Sequence, residues 1–179
     1  MHKINIIGAS GTGKTTLGNA LARELNVPFF DSDNYYHFPT DPPFQKQRSP
    51  EERARLLESD LNQQPAWVLA GGAGTWQPSV NVQWSLVVFL YLDPKLRLER
   101  LRARESRLYG QRIQAGGDME EEHKKFMAWT AGYDASVSEG TNTLAAHTQF
   151  LNSAKCFSLK LDPRLSVREL LDVILKFIE

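Results

Sequence analysis

The order of apolar segments along this 179-residue chain predicts a three-layer α/β fold, a parallel five-stranded sheet with helices on both faces. Three observations carry that expectation. Short runs of aliphatic and aromatic residues alternate with longer stretches of helical periodicity. Each short run stops at glycine or aspartate. The first run leads directly into Gly8-Ala9-Ser10-Gly11-Thr12-Gly13-Lys14-Thr15, a complete G-x-x-x-x-G-K-[ST] phosphate-binding loop.

Ile4-Asn5-Ile6-Ile7 reads as the first strand, and after the loop Leu17, Ala20, Leu21 and Leu25 recur at helical spacing. Val27-Pro28-Phe29-Phe30 predicts a second short strand ending at Asp31-Ser32-Asp33. From Asn34 to Arg48 the chain is rich in proline and aromatic residues with no sustained period, which predicts a long loop. Ser49-Pro50-Glu51-Glu52 starts a helix with a serine cap, a proline in the first position and an acid at the capping-box position; Ala54, Leu57 and Leu61 form its apolar face. Trp67 to Ala70 predicts a third strand stopped by Gly71-Gly72, and Leu86 to Leu92 a fourth stopped by Asp93-Pro94. Runs this apolar suit strands covered on both faces.

Beyond Pro94 the pattern turns helical and carries Arg97, Arg100, Arg102, Arg104, Arg107 and Arg112 before Gly116-Gly117 interrupts it. Asp118 with Glu121 predicts a cap for the next helix, whose Phe126, Trp129 and Tyr133 are expected in the core. A helix near Leu144 to Leu151, a last strand from Cys156 to Leu161 and a helix opened by the capping box Ser166-Val167-Arg168-Glu169 complete the order. With no linker or internal repeat, residues 1–179 are expected to form a single domain.

Lysine plus arginine equals aspartate plus glutamate at 21 each, so no global field draws the chain to nucleic acid or to anionic membrane. No apolar stretch is long enough to span a bilayer, and Met1-His2-Lys3 runs into the first strand without a signal-peptide pattern, which points to the cytoplasm. The single cysteine, Cys156, reads as a small buried hydrophobe. His2, His37, His123 and His147 have no metal-ligand spacing, so Mg²⁺ is the metal the sequence indicates.

In a parallel sheet the residues ending each strand gather on one rim. The glycines Gly8, Gly11 and Gly13 let the backbone wrap a triphosphate, with Thr12 and Thr16 in the wall, Lys14 reaching the outer phosphates and Thr15 holding Mg²⁺. Asp31 and Asp33, two apart, point the same way on an extended backbone; one would hold a metal-bound water while the other meets an acceptor hydroxyl. The working assignment gives Asp31 to the metal with Thr15, and Asp33 to the acceptor. The same Asp-Ser-Asp-Asn run also makes an ordinary turn. Asp93 reads either as a metal-holding aspartate or as a strand stop and helix cap. The arginines read as a solvated helix face paired with Glu99 and Glu105, or as guanidinium groups for an anionic transition state; Arg104, Arg107 and Arg112, nearest the helix end, are the catalytic candidates. Tyr35, Tyr36, Phe38 and Phe44 either wall an acceptor pocket or pack the loop onto the sheet.

With a phosphate loop after the first strand, Asp-x-Asp after the second, glycines after the third, arginines after the fourth and Leu161-Asp162-Pro163-Arg164 after the fifth, the chain resembles the small P-loop kinases related to nucleoside monophosphate kinases and shikimate kinase. The resemblance follows the order of elements through essentially the whole chain and rests most sharply on the phosphate loop. It implies a fold of the P-loop NTPase type with a helical lid at about residues 104–120 and an acceptor loop at about 33–50. It also implies ATP and Mg²⁺ as cofactors, Asp162 and Arg164 bordering adenine, and Asp33, Arg48, Gly71 and Gly72 at the acceptor. Shikimate kinases carry a third glycine where this chain has Ala73, and the AMP-binding stretch of adenylate kinases is replaced by Gly71-Gly72-Ala73-Gly74-Thr75-Trp76.

The expectation is therefore a cytoplasmic enzyme, a monomer or weak dimer, that transfers the γ-phosphate of Mg-ATP to a small molecule, with no nucleic-acid or membrane partner. The rival expectation is a nucleotide-binding regulatory module whose ATP state orders the 34-to-48 loop for a protein partner.

Overall fold

Alternation along the first strand, β1 (Lys3–Gly8), divides the interior: Ile4 and Ile6 face one side of the sheet, Ile7 the other. The computed structural model describes residues 2–76, 78, 80–135 and 141–178. In it β1 is central to a five-stranded, all-parallel sheet, flanked by β2 (Phe29–Asp31), β3 (Trp67–Ala70), β4 (Leu86–Leu90) and β5 (Phe157–Leu161) in the order β2-β3-β1-β4-β5.

On the Ile4 side, α1 (Lys14–Glu24) and α7 (Val167–Ile178) press Leu17, Leu21, Leu170, Leu171 and Ile174 against Ile6, Val68 and Val88. On the other side α3 (Pro50–Asn62) sets Ala54, Leu57 and Leu61 against Trp67 and Leu69, while α6 (Leu144–Ser153) covers Ile7, Val87 and Phe89. The sheet is thus covered on both faces, giving the three-layer architecture expected from the alternation of segments. Two predicted caps form: Ser49 Oγ accepts the Glu52 N–H at 3.2 Å, and Ser166 and Glu169 exchange reciprocal bonds at the head of α7.

Several boundaries differ from the sequence expectation. The second strand starts at Phe29 rather than Val27, because the Val27 N–H closes the end of α1 on the Ala22 carbonyl and Pro28 has no N–H to give. The 34-to-48 stretch is not wholly irregular: Asp33–Tyr36 forms a single helical turn, α2, and His37 bridges Gln47 in an antiparallel contact. The helix α4 (Pro94–Tyr109) carries the arginines, and α5 (Glu120–Ala131) begins without a side-chain cap. Asp118 does not cap it, since its carboxylate is held by Arg112; Glu120 instead accepts the Gly116 N–H at 2.7 Å. Of the α5-region aromatics expected in the core only Tyr133 is buried, and Trp129 is 49% exposed. β5 lies at the sheet edge with Phe157 exposed.

The registers bring three strand ends together. β3 pairs Ala70 with Ile6 of β1 and with Asp31 of β2, and the Gly71 N–H continues the ladder to the Ile6 carbonyl. Gly8, Asp31 and Gly71 therefore share one rim.

Candidate active site

The phosphate loop is shaped by its glycines. Gly8, Gly11 and Gly13 take φ of 144°, 85° and 92°, which a side chain would strain. A Cβ on Gly8 would lie 2.3 Å from the Leu90 carbonyl oxygen, and one on Gly11 2.7 Å from Leu101 Cγ of α4. Around Gly13 the corresponding space is open, with nothing within 4 Å. Gly13 is also the cap position of α1 and offers no side chain, so the first-turn amides of Lys14, Thr15 and Thr16 face the loop uncapped. Thr12 and Lys14 both donate to the Ala9 carbonyl at 2.9 Å, folding the loop over its own lysine. Burial lowers the Lys14 pKa, opposed by Asp33 and Asp31 and reinforced by Arg104 and Arg97. An uncapped helix start, an open concavity and a crowded lysine make a fitting cradle for a triphosphate.

The paired aspartates separate in role. Asp31, the last residue of β2, accepts from Thr15 Oγ1 at 2.8 Å. A hydroxyl and a carboxylate so joined can share the coordination sphere of Mg²⁺. Among the described residues no cluster of three metal-ligating His, Cys, Asp or Glu side chains occurs. Asp33 does not continue the strand. The backbone enters α2 at Ser32, with φ −61° and ψ −25°, so the same-side rule of an extended chain does not apply. The Asp33 N–H donates to Asp31 Oδ1 at 3.1 Å. Asp33 is exposed on the rim, yet desolvation by the surrounding protein and the charge of Asp31 raise its pKa, while Lys14 and Arg104 pull it back. That balance suits a group that accepts a proton.

The arginines of α4 divide sharply. Arg97, in line with Leu101 and Glu105 along the helix, is fully buried; its Nη2 donates to Asp134 at 2.7 Å and to the Thr130 carbonyl at 3.2 Å, under the Tyr133 ring. It is a structural post behind the phosphate loop. Arg100 donates to the Pro163 carbonyl at 2.9 Å, tying α4 to the turn where Asp162 and Arg164 pair with each other. Arg104 is held in a fork by Glu105, at 3.0 and 2.7 Å, and its charge acts on both Lys14 and Asp33. Arg107 is exposed and has no ion-pair partner among the described residues. Arg112 bridges Asp118 at 2.8 Å and Asp41 at 2.9 Å, joining the predicted lid to the acceptor loop. Asp93 is a cap, accepting the Lys95 N–H at 2.9 Å at the head of α4.

At the third strand end Gly71 has φ 118°, and a Cβ there would fall 1.8 Å from Ser32 Oγ. The Gly71-Gly72 turn therefore packs directly on the start of α2. Arg48 is engaged: Nη1 donates to the carbonyls of Asn34, Tyr35 and His37, and the guanidinium lies 4.5 Å from the Phe38 ring. It straps the acceptor loop shut on itself. Arg53 is the residue that the sequence reading passed over. It is 7% exposed, 4.0 Å from the Tyr36 ring and 5.1 Å from the Trp76 ring, and its buried Nε has no hydrogen-bond partner among the described residues. Burial, with the charges of Arg53 and Arg48 added, holds the His37 pKa down. A signal was present: Arg53 stands in line with Leu57 and Leu61 at helical spacing, a cation on the apolar stripe of α3.

The structure thus brings Lys14, Thr15, Asp31, Asp33 and Arg104 to one centre, with Gly71 and Gly72 beside it, and leaves Arg107, Arg112, Asp162 and Arg164 at its margins.

Known proteins place this arrangement in a family. A family model described as an AAA domain matches residues 4–125. The chain is 38% identical over 175 residues to the uncharacterized protein YqaC of Bacillus subtilis, covering 98% of this chain and 96% of that protein. It is 29% identical over 171 residues to shikimate kinase of Bacillus cereus, covering 87% and 97% of the two chains. Among solved structures it is similar to shikimate kinase from Acinetobacter baumannii in complex with shikimate, with a TM-score of 0.58 and 23% identity over 99% of this chain and 93% of that one. At that identity the likeness speaks to the fold.

Proposed function

We propose, for a chain that belongs to the AAA domain family and is a small P-loop kinase of the shikimate kinase and nucleoside monophosphate kinase group, that it phosphorylates a hydroxyl of a small anionic metabolite at the expense of Mg-ATP. The observation that carries the acceptor class is Arg53, a buried guanidinium with aromatic rings at 4.0 and 5.1 Å and no carboxylate partner among the described residues, set in the wall of the acceptor loop. A buried cation of this kind is costly until an anion meets it.

Mg-ATP, when bound, supplies the phosphoryl group and a divalent charge that offsets the phosphates. The chain does the rest. Gly8 to Thr16 wrap and orient the phosphates, and Lys14 places a cation where charge builds on the transferring group. Thr15 and Asp31 hold the cation's place, and Arg104, fixed by Glu105, closes over Lys14 and Asp33. Asp33, with its raised pKa, takes the proton of the acceptor hydroxyl. Arg53 fixes the acceptor's anionic end, and the Gly71-Gly72 turn, packed on the start of α2, borders it. Arg48 keeps the loop shaped, residues 104–120 act as lid, and Asp162 with Arg164 borders the base, all within one domain spanning 1–179. Among the described residues no helix is long and apolar enough to cross a membrane, and with the balanced charge this favours work in the cytoplasm.

The test is ADP release with Mg-ATP against a panel of hydroxy acids, shikimate, sugar acids, neutral sugars and nucleoside monophosphates, with Lys14→Ala as blank. A hydroxy acid that raises turnover above the acceptor-free rate is the expected result. Stimulation only by neutral sugars would remove Arg53 from the acceptor site. Tight ATP binding with no stimulation, together with nucleotide-dependent capture of a protein, would replace the kinase reading with the regulatory one.

A further inference from the structure

The two edges of the sheet are finished differently. β2 is three residues long, is preceded by Pro28 and ends in Asp31, so it offers little for another strand to pair with. β5 has no such protection. The Tyr91 N–H donates to the Leu161 carbonyl at 3.4 Å, which turns the backbone groups of Phe157, Leu159 and Leu161 toward β4 and those of Ser158 and Lys160 outward. Among the described residues nothing meets these outward N–H and C=O groups. Lys160 does not guard the edge, because its Nζ lies over the Tyr91 ring, 5.0 Å from the centroid, on the β4 side. Beside the free edge runs an apolar strip. Phe157 is 72% exposed and meets Phe177 of α7 edge-on, with ring centroids 5.7 Å apart, and Val173, one turn back along α7, is exposed too.

We infer that this edge pairs with the β5 edge of a second copy of the chain, antiparallel about a two-fold axis at Leu159, so that one continuous sheet runs through a dimer. The occupant follows from charge and pattern. Centring on Leu159 sets Ser158 opposite Lys160 of the second copy, so every outward group of both residues is bonded and no like charges meet. Centring on Lys160 would oppose two ammonium side chains, and centring on Ser158 would set Lys160 against Cys156, outside the strand. The chosen register brings Phe157 against Leu161 of the second copy, in a pair that exchanges no backbone bonds and whose side chains lie close. Val173 and Phe177 of both copies then stand on one face beside the axis. With lysine plus arginine matching aspartate plus glutamate at 21 each, no net charge pushes the copies apart. The inference goes beyond the kinase reading and does not depend on it.

Sedimentation of the full chain from about 1 μM to about 300 μM tests this, with a mass approaching twice that of the chain expected at the upper end. At that end the Ser158 and Lys160 amides should exchange with solvent about tenfold or more slowly than in dilute protein. Ser158→Pro removes an outward N–H and leaves the β4 ladder whole, so it should stay monomeric while melting, in dilute protein, near the wild-type temperature. Phe157→Glu serves if that variant does not fold, with the same outcome expected. The register has its own readout. Ser158→Glu places a carboxylate opposite Lys160 on both sides of the axis and should tighten the dimer Kd about threefold or more, whereas Ser158→Lys should loosen it by a similar factor. A monomer mass at every concentration overturns the inference and leaves the edge to a strand from another protein. A dimer that survives both Ser158→Pro and Phe157→Glu is built on another surface and overturns it too, and a dimer loosened by Ser158→Glu overturns the register.

Discussion

The two halves of the cleft are built by different means. The nucleotide half is local: the loop, the helix start and its lysine come from one run of sequence, and nearly every bond that shapes it stays within that run. The acceptor half is assembled from α2, α3 and the turn after β3, held by contacts such as Arg48 to three loop carbonyls and Arg53 on Tyr36 and Trp76. A local device tolerates no change in its few residues, whereas an assembled one can be retuned piece by piece for a new acceptor. Constancy belongs to the first half and specificity to the second.

The sharpest break in that contrast is Lys14→Ala, which should cut phosphoryl transfer about a thousandfold or more with the fold intact by melting temperature. Asp33→Asn should lose about a hundredfold in acceptor phosphorylation with ATP binding retained; full activity would remove Asp33 from its role. The same variant carries a stability signature. A carboxyl whose folded pKa is raised binds its proton more tightly in the folded state, so its ionisation destabilises the fold as pH rises past the unfolded value. Asp33→Asn should therefore melt higher than the wild type at neutral pH, the gap closing in acid below the unfolded carboxyl pKa. The wild-type rate should fall in acid as the carboxylate is protonated.

Next in size is Arg53→Ala, expected to raise acceptor KM by about tenfold to a hundredfold and to leave the ATP constant alone; a change in both would erase the division between halves. A pair of glycine substitutions refines it. Gly13→Ala faces open space and pays mainly for its positive φ, about 1–2 kcal/mol, yet should abolish nucleotide binding. Gly71→Ala adds a collision with Ser32 and should cost about 3 kcal/mol or more, readable as a lower denaturant midpoint. Smallest is Asp41→Asn, which frees Arg112 from an exposed bridge and should change turnover less than about threefold.

How much of this was legible in the sequence follows the same line. The sheet and the layers could be read because alternation and stop residues are local signals, and the phosphate loop because its spacing is itself the structure. Asp33 was found but mis-aimed, since the turn into α2 at Ser32 depends on Ser32 meeting the side-chain-free Gly71, a residue far along the chain. Asp118 looked like a cap and is instead a partner of Arg112, a competition that local pattern does not reveal. Trp129 was expected inside because its spacing matches Tyr133, but only Tyr133, in the turn after α5, is buried. Arg53 matters through partners on other elements, and only the packed chain supplies those.

The contact of Leu101 with Gly11 also sets a ruler. Because α4 rests on the phosphate loop at that point, each later residue is measured from the loop by the helix itself, about 1.5 Å along and about 100° around per residue. Arg104 reaches the cleft because it stands three residues beyond the contact. A substitution on the outer face leaves that count untouched, but inserting or deleting a single residue between 101 and 104 would swing Arg104 away from Lys14. In this stretch length is under stronger constraint than composition.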